Sequence, residues 1–210
     1  MTVRDPKHTF GRTDVDIMSQ EAAYRGYFRI DRVTLRHRLH AGGWSAPIMR
    51  EVFERGHAAA VLPYDPILDR VVLLEQFRIG AWSAGWNPWI VEIPAGTIEP
   101  GETAEAVAIR ETVEETGSTL SDIRHICDYL STPGGASETV SLYCGRVDAA
   151  AVGGIHGNAH EVEDILVYTV PYAEVRAALD AGAYGNSVTI IALQWLALNR
   201  DRLRSEWAGP

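Results

Sequence analysis

Residues 96–117 read GTIEPGETAEAVAIRETVEETG, and the rest of the chain is best read outward from them. Thr103 stands where an N-cap belongs, Glu105 falls in the first turn and Gly117 lies just past the end, so the spacing predicts a helix over Thr103 to Thr116. At about 100° per residue, Glu111 and Glu115 fall within about 40° of each other, with Glu114 about 60° from Glu111 on the side away from Glu115. Ile109 and Val113 point nearly the opposite way, which predicts an amphipathic helix with one acidic face. Like charges four residues apart are mildly destabilising unless a cation is present. Three carboxylates at this spacing supply hard oxygen ligands suited to Mg²⁺ or Mn²⁺. A glutamate-rich helix is also commonly no more than a solvated face, and the flanking pattern decides between the two.

That pattern resembles the Nudix box, Gly-x5-Glu-x7-Arg-Glu-U-x-Glu-Glu-x-Gly-U, in which U is a bulky aliphatic residue. Gly96, Glu102, Arg110, Glu111, Glu114, Glu115 and Gly117 match it without a shift in spacing. Thr112 and Ser118 depart from it at the U positions, which pack rather than ligate. The resemblance runs through Tyr24-Arg-Gly-Tyr27-Phe28, the stretch from Arg50 to His57, Ser131-Thr-Pro133-Gly-Gly and Gln194-Trp195-Leu196. Taken together the chain resembles the bacterial ADP-ribose diphosphatases of the Nudix superfamily, of the Escherichia coli type. The resemblance implies an α/β (α+β) fold, a Nudix α/β/α sandwich with a mixed sheet. A small antiparallel β domain would precede it and be exchanged across a homodimer. The activity implied is Mg²⁺-dependent hydrolysis of ADP-ribose to AMP and ribose 5-phosphate, with Mn²⁺ an alternative metal.

By the same resemblance Glu111, Glu115 and Glu163 are metal ligands, with the backbone carbonyl of Ala95, and Glu114 is a ligand or an electrostatic partner. Glu161 is the general base, and Arg110 orients the glutamates by ion pairing. An acidic pocket that binds an anionic pyrophosphate needs the metal, which also lowers the pKa of the attacking water. Tyr27 and Phe28 match aromatic contacts to adenine, some of them supplied by the partner subunit. Arg50, Arg55 and Arg78 match substrate-binding arginines, whose planar forks suit phosphate and ribose oxygens. Thr97, Thr132 and Glu138 are weaker substrate contacts. The loop from Gly153 to Asp164 is glycine-rich and reads as a mobile lid; alternation along an extended segment would put Glu161 and Glu163 on one side. His156 and His160 have no regular ligand spacing and read as surface residues.

Outward from the box, charge divides the chain better than any linker. Residues 1–57 carry a balance of +3 and residues 58–210 one of −12, out of a total of −9. In the front segment Val33, Leu35, His37 and Leu39 alternate with polar residues, Ala41-Gly42-Gly43 supplies a turn, and a second strand runs from Ile48 to Phe53. Two strands and a short lead-in make no core of their own, so residues 1–57 are expected to pack on the rest of the chain or on a second subunit. By the resemblance, residues 58–210 are expected to form the Nudix hydrolase domain. Ala58 to Leu62 and Val71 to Gln76 read as a hairpin about Pro63-Tyr64-Asp65-Pro66. Further strands are predicted at Trp89 to Ile93, Tyr129 to Leu130, Val140 to Val147 and Ile165 to Val170, and helices at Tyr172 to Ala181 and Ser187 to Leu203.

With 210 residues, 46% hydrophobic and 22% charged, the chain is an ordinary globular one that needs no disulfide to fold. Lys7 is the only lysine beside 18 arginines, which removes a Walker phosphate loop, a Schiff base and a Ser-Lys dyad. Coding bias in the source organism and phosphate binding are competing readings of the arginine excess. The acidic balance argues against nucleic acid or anionic membrane as a partner. Cys127 and Cys144 read as buried thiols in a reduced compartment. No run of about 18 apolar residues is present, and the start lacks the apolar core of a signal peptide, so a cytoplasmic location is expected. Two other functions remain open at this point: hydrolysis of another nucleoside diphosphate sugar such as GDP-mannose, and a silent nucleotide-binding sensor.

Overall fold

The computed structural model describes residues 8–158 and 162–207, which form two compact units: residues up to Arg55 with Thr132–Glu138, and Gly56–Ser131 with Thr139 onward.

The first unit is an antiparallel sheet of β1 (Val15–Arg25), β2 (Arg29–His37) and β3 (Ile48–Glu54) in that order. β1 is a full strand where the sequence reading has only a lead-in. Its residues lack period-2 alternation because almost all of them are exposed, so no buried face writes itself into the sequence. The turn after β2 does use Gly42 and Gly43 in the left-handed region, at φ 94° and 75°. Leu39 lies in that turn rather than in the strand, its amide donating to the Gly43 carbonyl at 3.1 Å. Asp31 is almost fully buried and accepts from Gln20 Nε2 at 2.9 Å beside Arg29 Nε at 2.8 Å. The returning segment pairs with β3, Phe53 N donating to Gly135 O at 2.8 Å and Ser137 N to Phe53 O at 3.2 Å.

The second unit is built on an eight-stranded mixed sheet. Its order is β10 (Gly154–His156), β11 (Ile165–Pro171), β5 (Arg70–Phe77), β4 (Ala58–Asp65), β9 (Thr139–Arg146) and β8 (Asp122–Leu130). Two short strands, β6 (Trp89–Glu92) and β7 (Ala95–Thr97), add to β5 and β4. β4 runs parallel to β9 and is apolar on both faces, as a strand covered on both sides must be. Ala59 and Val61 pack with Val107 and Ala108 of α2 (Ala104–Thr116). Ala60, Leu62 and Tyr64 pack on the other face with Leu193, Leu196 and Leu203 of α4 (Ser187–Trp207), beside which lies α3 (Tyr172–Asp180). The layers are therefore helix, sheet, helix, the α/β arrangement read from the sequence.

Several boundaries differ. β4 continues through Pro63 and Tyr64, and the turn falls at residues 66–69, where Asp65 Oδ1 accepts from Ile67 N at 2.8 Å and Leu68 N at 2.9 Å. β8 begins at Asp122 rather than Tyr129; it is a sheet-edge strand carrying Arg124, His125 and Asp128, with a register shift between His125 and Cys127 that breaks the alternation. The short helix α1 (Ile79–Ser83) and the strands β7 and β10 are too short to carry a period. Cys144 is fully buried and Cys127 half-buried, both free thiols. No helix of the described residues is long and apolar enough to cross a membrane.

Candidate active site

α2 forms where its caps predict. Thr103 Oγ1 accepts from Ala106 N at 3.2 Å, and Gly117 closes the helix at φ 67° with its amide on Val113 O at 2.9 Å. A side chain at 117 is excluded twice, since a Cβ there would also stand 2.8 Å from the His156 ring. The face that α2 buries is not the expected one. Ile109 and Val113 are exposed, whereas Ala108, Thr112, Glu115 and Thr116 face the sheet. The threonines can be buried because their hydroxyls bond back to the helix, Thr112 to Ala108 O at 2.8 Å and Thr116 to Thr112 O at 2.5 Å. Thr112 and the buried Ser118 thus fill the two packing positions at which aliphatic residues are the rule.

This rotation drives Glu115 inward, to 4% exposure, where Oε2 accepts the Ala95 amide at 3.0 Å. Burial pushes the Glu115 carboxyl up to about 8 against the pull of that amide, and the Glu111 charge adds to the rise. Glu111 is raised too, by burial first, in spite of Arg110. Gly96 on β7 lets the Glu111 carboxylate lie across its Cα, because a Cβ there would meet Oε1 at 1.8 Å. Arg110 spans the acids: Nη1 reaches Glu111 Oε1 at 2.8 Å and Glu114 Oε2 at 3.0 Å, and Nε lies 3.4 Å from Glu102. Glu114 itself is exposed.

Glu163 enters from the loop before β11 and accepts from Asn158 N at 3.1 Å; its charge is felt at both Glu111 and Glu115. Glu161 and His160 lie outside the described residues. Val162, next to Glu163, has φ 57°. His156 is not a free surface residue: its ring packs against Gly117 and Nε2 lies 3.1 Å from Gly153 O. Among the described residues no three His, Cys, Asp or Glu side chains form a closed ligand set, Glu111 Oε1 being held by Arg110.

Arg78, between β5 and α1, donates from Nε and Nη2 to Glu92 Oε2, both at 2.8 Å. It lines a cleft of about 400 Å³ with Trp86, Ile90, Glu92 and Asn186, and its charge acts on Glu115. Thr97 is exposed on β7. The remaining substrate candidates fall in the first unit. Phe28 packs edge-on against Tyr27 and Phe53, at ring distances of 4.8 and 5.0 Å, with Arg55 over its face at 5.7 Å and Arg55 Nε on Glu138 at 3.1 Å. Tyr27 is 95% exposed. Arg50 on β3 is exposed and donates from Nη1 to its neighbour's carbonyl, Met49 O, at 2.8 Å. Thr132 caps the turn before Glu138, its carbonyl accepting from Gly135 N at 3.1 Å and Ala136 N at 3.0 Å. Sequence reasoning passed over Glu92, Gln76, Asn186 and Phe53. Glu92 had a signal, a lone acid closing the apolar run Trp89 to Val91 just before Pro94.

The NUDIX domain model matches residues 54–197, which include α2, its caps and the Gly96 contact. The chain belongs to the Nudix family. It is 46% identical over 200 residues to the ADP-ribose pyrophosphatase of Escherichia coli (strain K12), covering 95% of this chain and 96% of that one. To the ADP-ribose pyrophosphatase of Haemophilus influenzae it is 39% identical over 201 residues, with 94% and 93% covered. A crystal structure of an ADP compounds hydrolase superposes with a TM-score of 0.69 over 94% of this chain and 98% of that one, at 18% identity, a likeness of fold. Thr112 and Ser118 are therefore Nudix box positions in which a hydroxyl bonded back to the chain stands in for aliphatic bulk.

Proposed function

We propose that this Nudix chain hydrolyses the pyrophosphate bond of ADP-ribose with a divalent metal, Mg²⁺ or Mn²⁺, giving AMP and ribose 5-phosphate. The observation that carries the reading is the near full-length identity to proteins named for that substrate, joined to a box whose Glu111 and Glu115 both meet the strand at Ala95–Gly96. The carboxylates suit a metal on chemical grounds: Glu115 is buried with its pKa raised, and the guanidinium that contacts the cluster, Arg110, is shared by three glutamates. Glu111, Glu115, Glu163 and the Ala95 carbonyl would hold the ion, with Glu114 steering it. When bound, the metal supplies screening of the anionic substrate and a lowered pKa for the attacking water.

The chain's own part is to bind, orient and move a proton. Glu161 accepts the proton as water adds to phosphorus and the bridging P–O bond breaks. Arg78, Arg50 and Arg55 hold phosphate and ribose oxygens, Tyr27 and Phe28 stack on adenine, and Thr97, Thr132 and Glu138 contribute weaker contacts. Residues 1–57 are read as a domain exchanged in a homodimer, residues 58–210 as the hydrolase domain, and the protein as cytoplasmic. The almost wholly exposed β1, with Ile17, Met18 and Tyr24 on its surface, supports a second copy as its cover. The test is turnover of ADP-ribose, ADP-glucose and GDP-mannose in ¹⁸O-labelled water with saturating Mg²⁺. The expected result is the highest kcat/KM on ADP-ribose, with AMP released; no AMP from ADP-ribose sinks the reading.

A further inference from the structure

Arg78 is held in an unusual way for a surface arginine. Its side chain is 44% exposed, yet Nε and Nη2 are both fixed on Oε2 of Glu92, whose side chain is 7% exposed. A guanidinium has five donors in one plane. Two point at Glu92, and the other three have no hydrogen-bond acceptor among the described residues. The Arg78 charge is felt at Glu115.

Glu92 is in turn held at both oxygens. Oε2 also accepts Gln76 Nε2 at 3.2 Å, and Oε1 accepts Asn186 Nδ2. Gln76 is on β5, two residues before Arg78, and is itself buried. Asn186 precedes α4, and its Oδ1 caps that helix by accepting Val188 N at 2.9 Å. A rigid line therefore runs from the core helix α4 through Asn186 and Glu92 to the guanidinium. A free arginine samples many rotamers; with its plane set, the unused donors are aimed before any ligand arrives.

We propose that Glu92, clamped by Gln76 and Asn186, is a positioning residue that sets the Arg78 guanidinium for the pyrophosphate of the substrate. The proposal rests on the hydrolase reading above. Glu92 touches no reacting atom; it acts through Arg78.

The experiment is a double-mutant cycle of Glu92→Gln with Arg78→Ala, reading kcat and KM on ADP-ribose, ADP-glucose and GDP-mannose, with the thermal melt recorded for each variant. Glu92→Gln is expected to lower kcat/KM on the order of tenfold to a hundredfold with a rise in KM, and to cost less than about twofold in the Arg78→Ala background. Asn186→Ala leaves the Arg78–Glu92 pair in place but loosens it. It is expected to give a smaller loss of the same kind, also absent without Arg78, and it decides the matter if Glu92→Gln does not fold. A fall in kcat at unchanged KM that tracks the folded fraction, or equal losses with and without Arg78, overturns the proposal. Cleavage of another sugar nucleotide but not ADP-ribose overturns the substrate reading alone, because the cycle is then read on that substrate. A wild-type chain that cleaves none of the three overturns both.

Discussion

Gly96 and Glu111 are in direct contact across 15 positions of sequence: a Cβ on residue 96 would stand 1.8 Å from Glu111 Oε1 and 2.1 Å from its Cδ. The first glycine of the box is thus a seat for Glu111 of its helix. Gly96 is not in the left-handed region, so its backbone would accept another residue, and its requirement is for space alone. Gly96→Ala is therefore expected to swing the Glu111 carboxylate away and reduce kcat/KM by about a hundredfold. The melting free energy should change by less than about 1 kcal/mol. Full activity, or unfolding, would show that the glycine serves another purpose.

Glu115 makes the metal-free protein sensitive to pH. Its carboxyl is raised from 4.5 to about 8, chiefly by burial, so between those values the folded state binds a proton that the unfolded chain has released. The stability this group contributes is fully present below about pH 4.5 and is lost as pH rises through about 8. The shift corresponds to roughly 3–5 kcal/mol over that window. In Glu115→Gln the carboxyl is gone, so urea melts with chelator present should show a flatter pH profile, and turnover should fall by orders of magnitude while the fold persists. An unchanged slope would remove Glu115 as its source.

Metal should act on the same balance from the other side. Ligand carboxylates must be ionised to bind, and binding to the folded state alone stabilises it. Mg²⁺ is expected to raise the melting temperature more at pH 8 than at pH 6, and to do so much less in Glu115→Gln. An equal effect in the variant would place the ion elsewhere.

Away from the site, Arg200 of α4 grips Asp69 with Nε at 2.8 Å from Oδ1 and Nη2 at 2.5 Å from Oδ2, while Tyr64 donates its hydroxyl to Oδ1 at 2.7 Å. Asp69 sits at φ 54°, so the contact also holds a left-handed turn. Arg200→Ala is expected to cost about 1–3 kcal/mol of stability with kcat and KM unchanged, measured by denaturant melts and steady-state kinetics. A kinetic change at constant stability would mean that α4 transmits more than support.

The exchanged-domain reading makes its own demand. Light scattering of the full chain should give twice the 23.1 kDa monomer mass, and removal of β1 should shift the species toward monomer. A clean monomer of the full chain would exclude the exchange.

Local signals carried α2 and its chemistry. Thr103, Gly117 and the glutamates at four-residue spacing act within one helix, whose 3.6-residue period is the same whatever packs against it, so the sequence alone located the helix, its caps and its acids. It also located β4 and β5, because strands buried on both faces are continuous apolar runs. Tertiary structure decided which face of α2 turned inward. Apolar Ile109 and Val113 went to solvent and Glu115 to the interior, because the sheet beneath accepts small residues and threonines bonded to their own helix, and the Ala95 amide meets the buried carboxylate. It likewise decided that Arg78 would find Glu92, and Glu92 Asn186, partners 14 and 94 positions apart. No period links residues so far apart, and only the pairing of β6 with β5 and the docking of α4 bring their side chains within a hydrogen bond of each other.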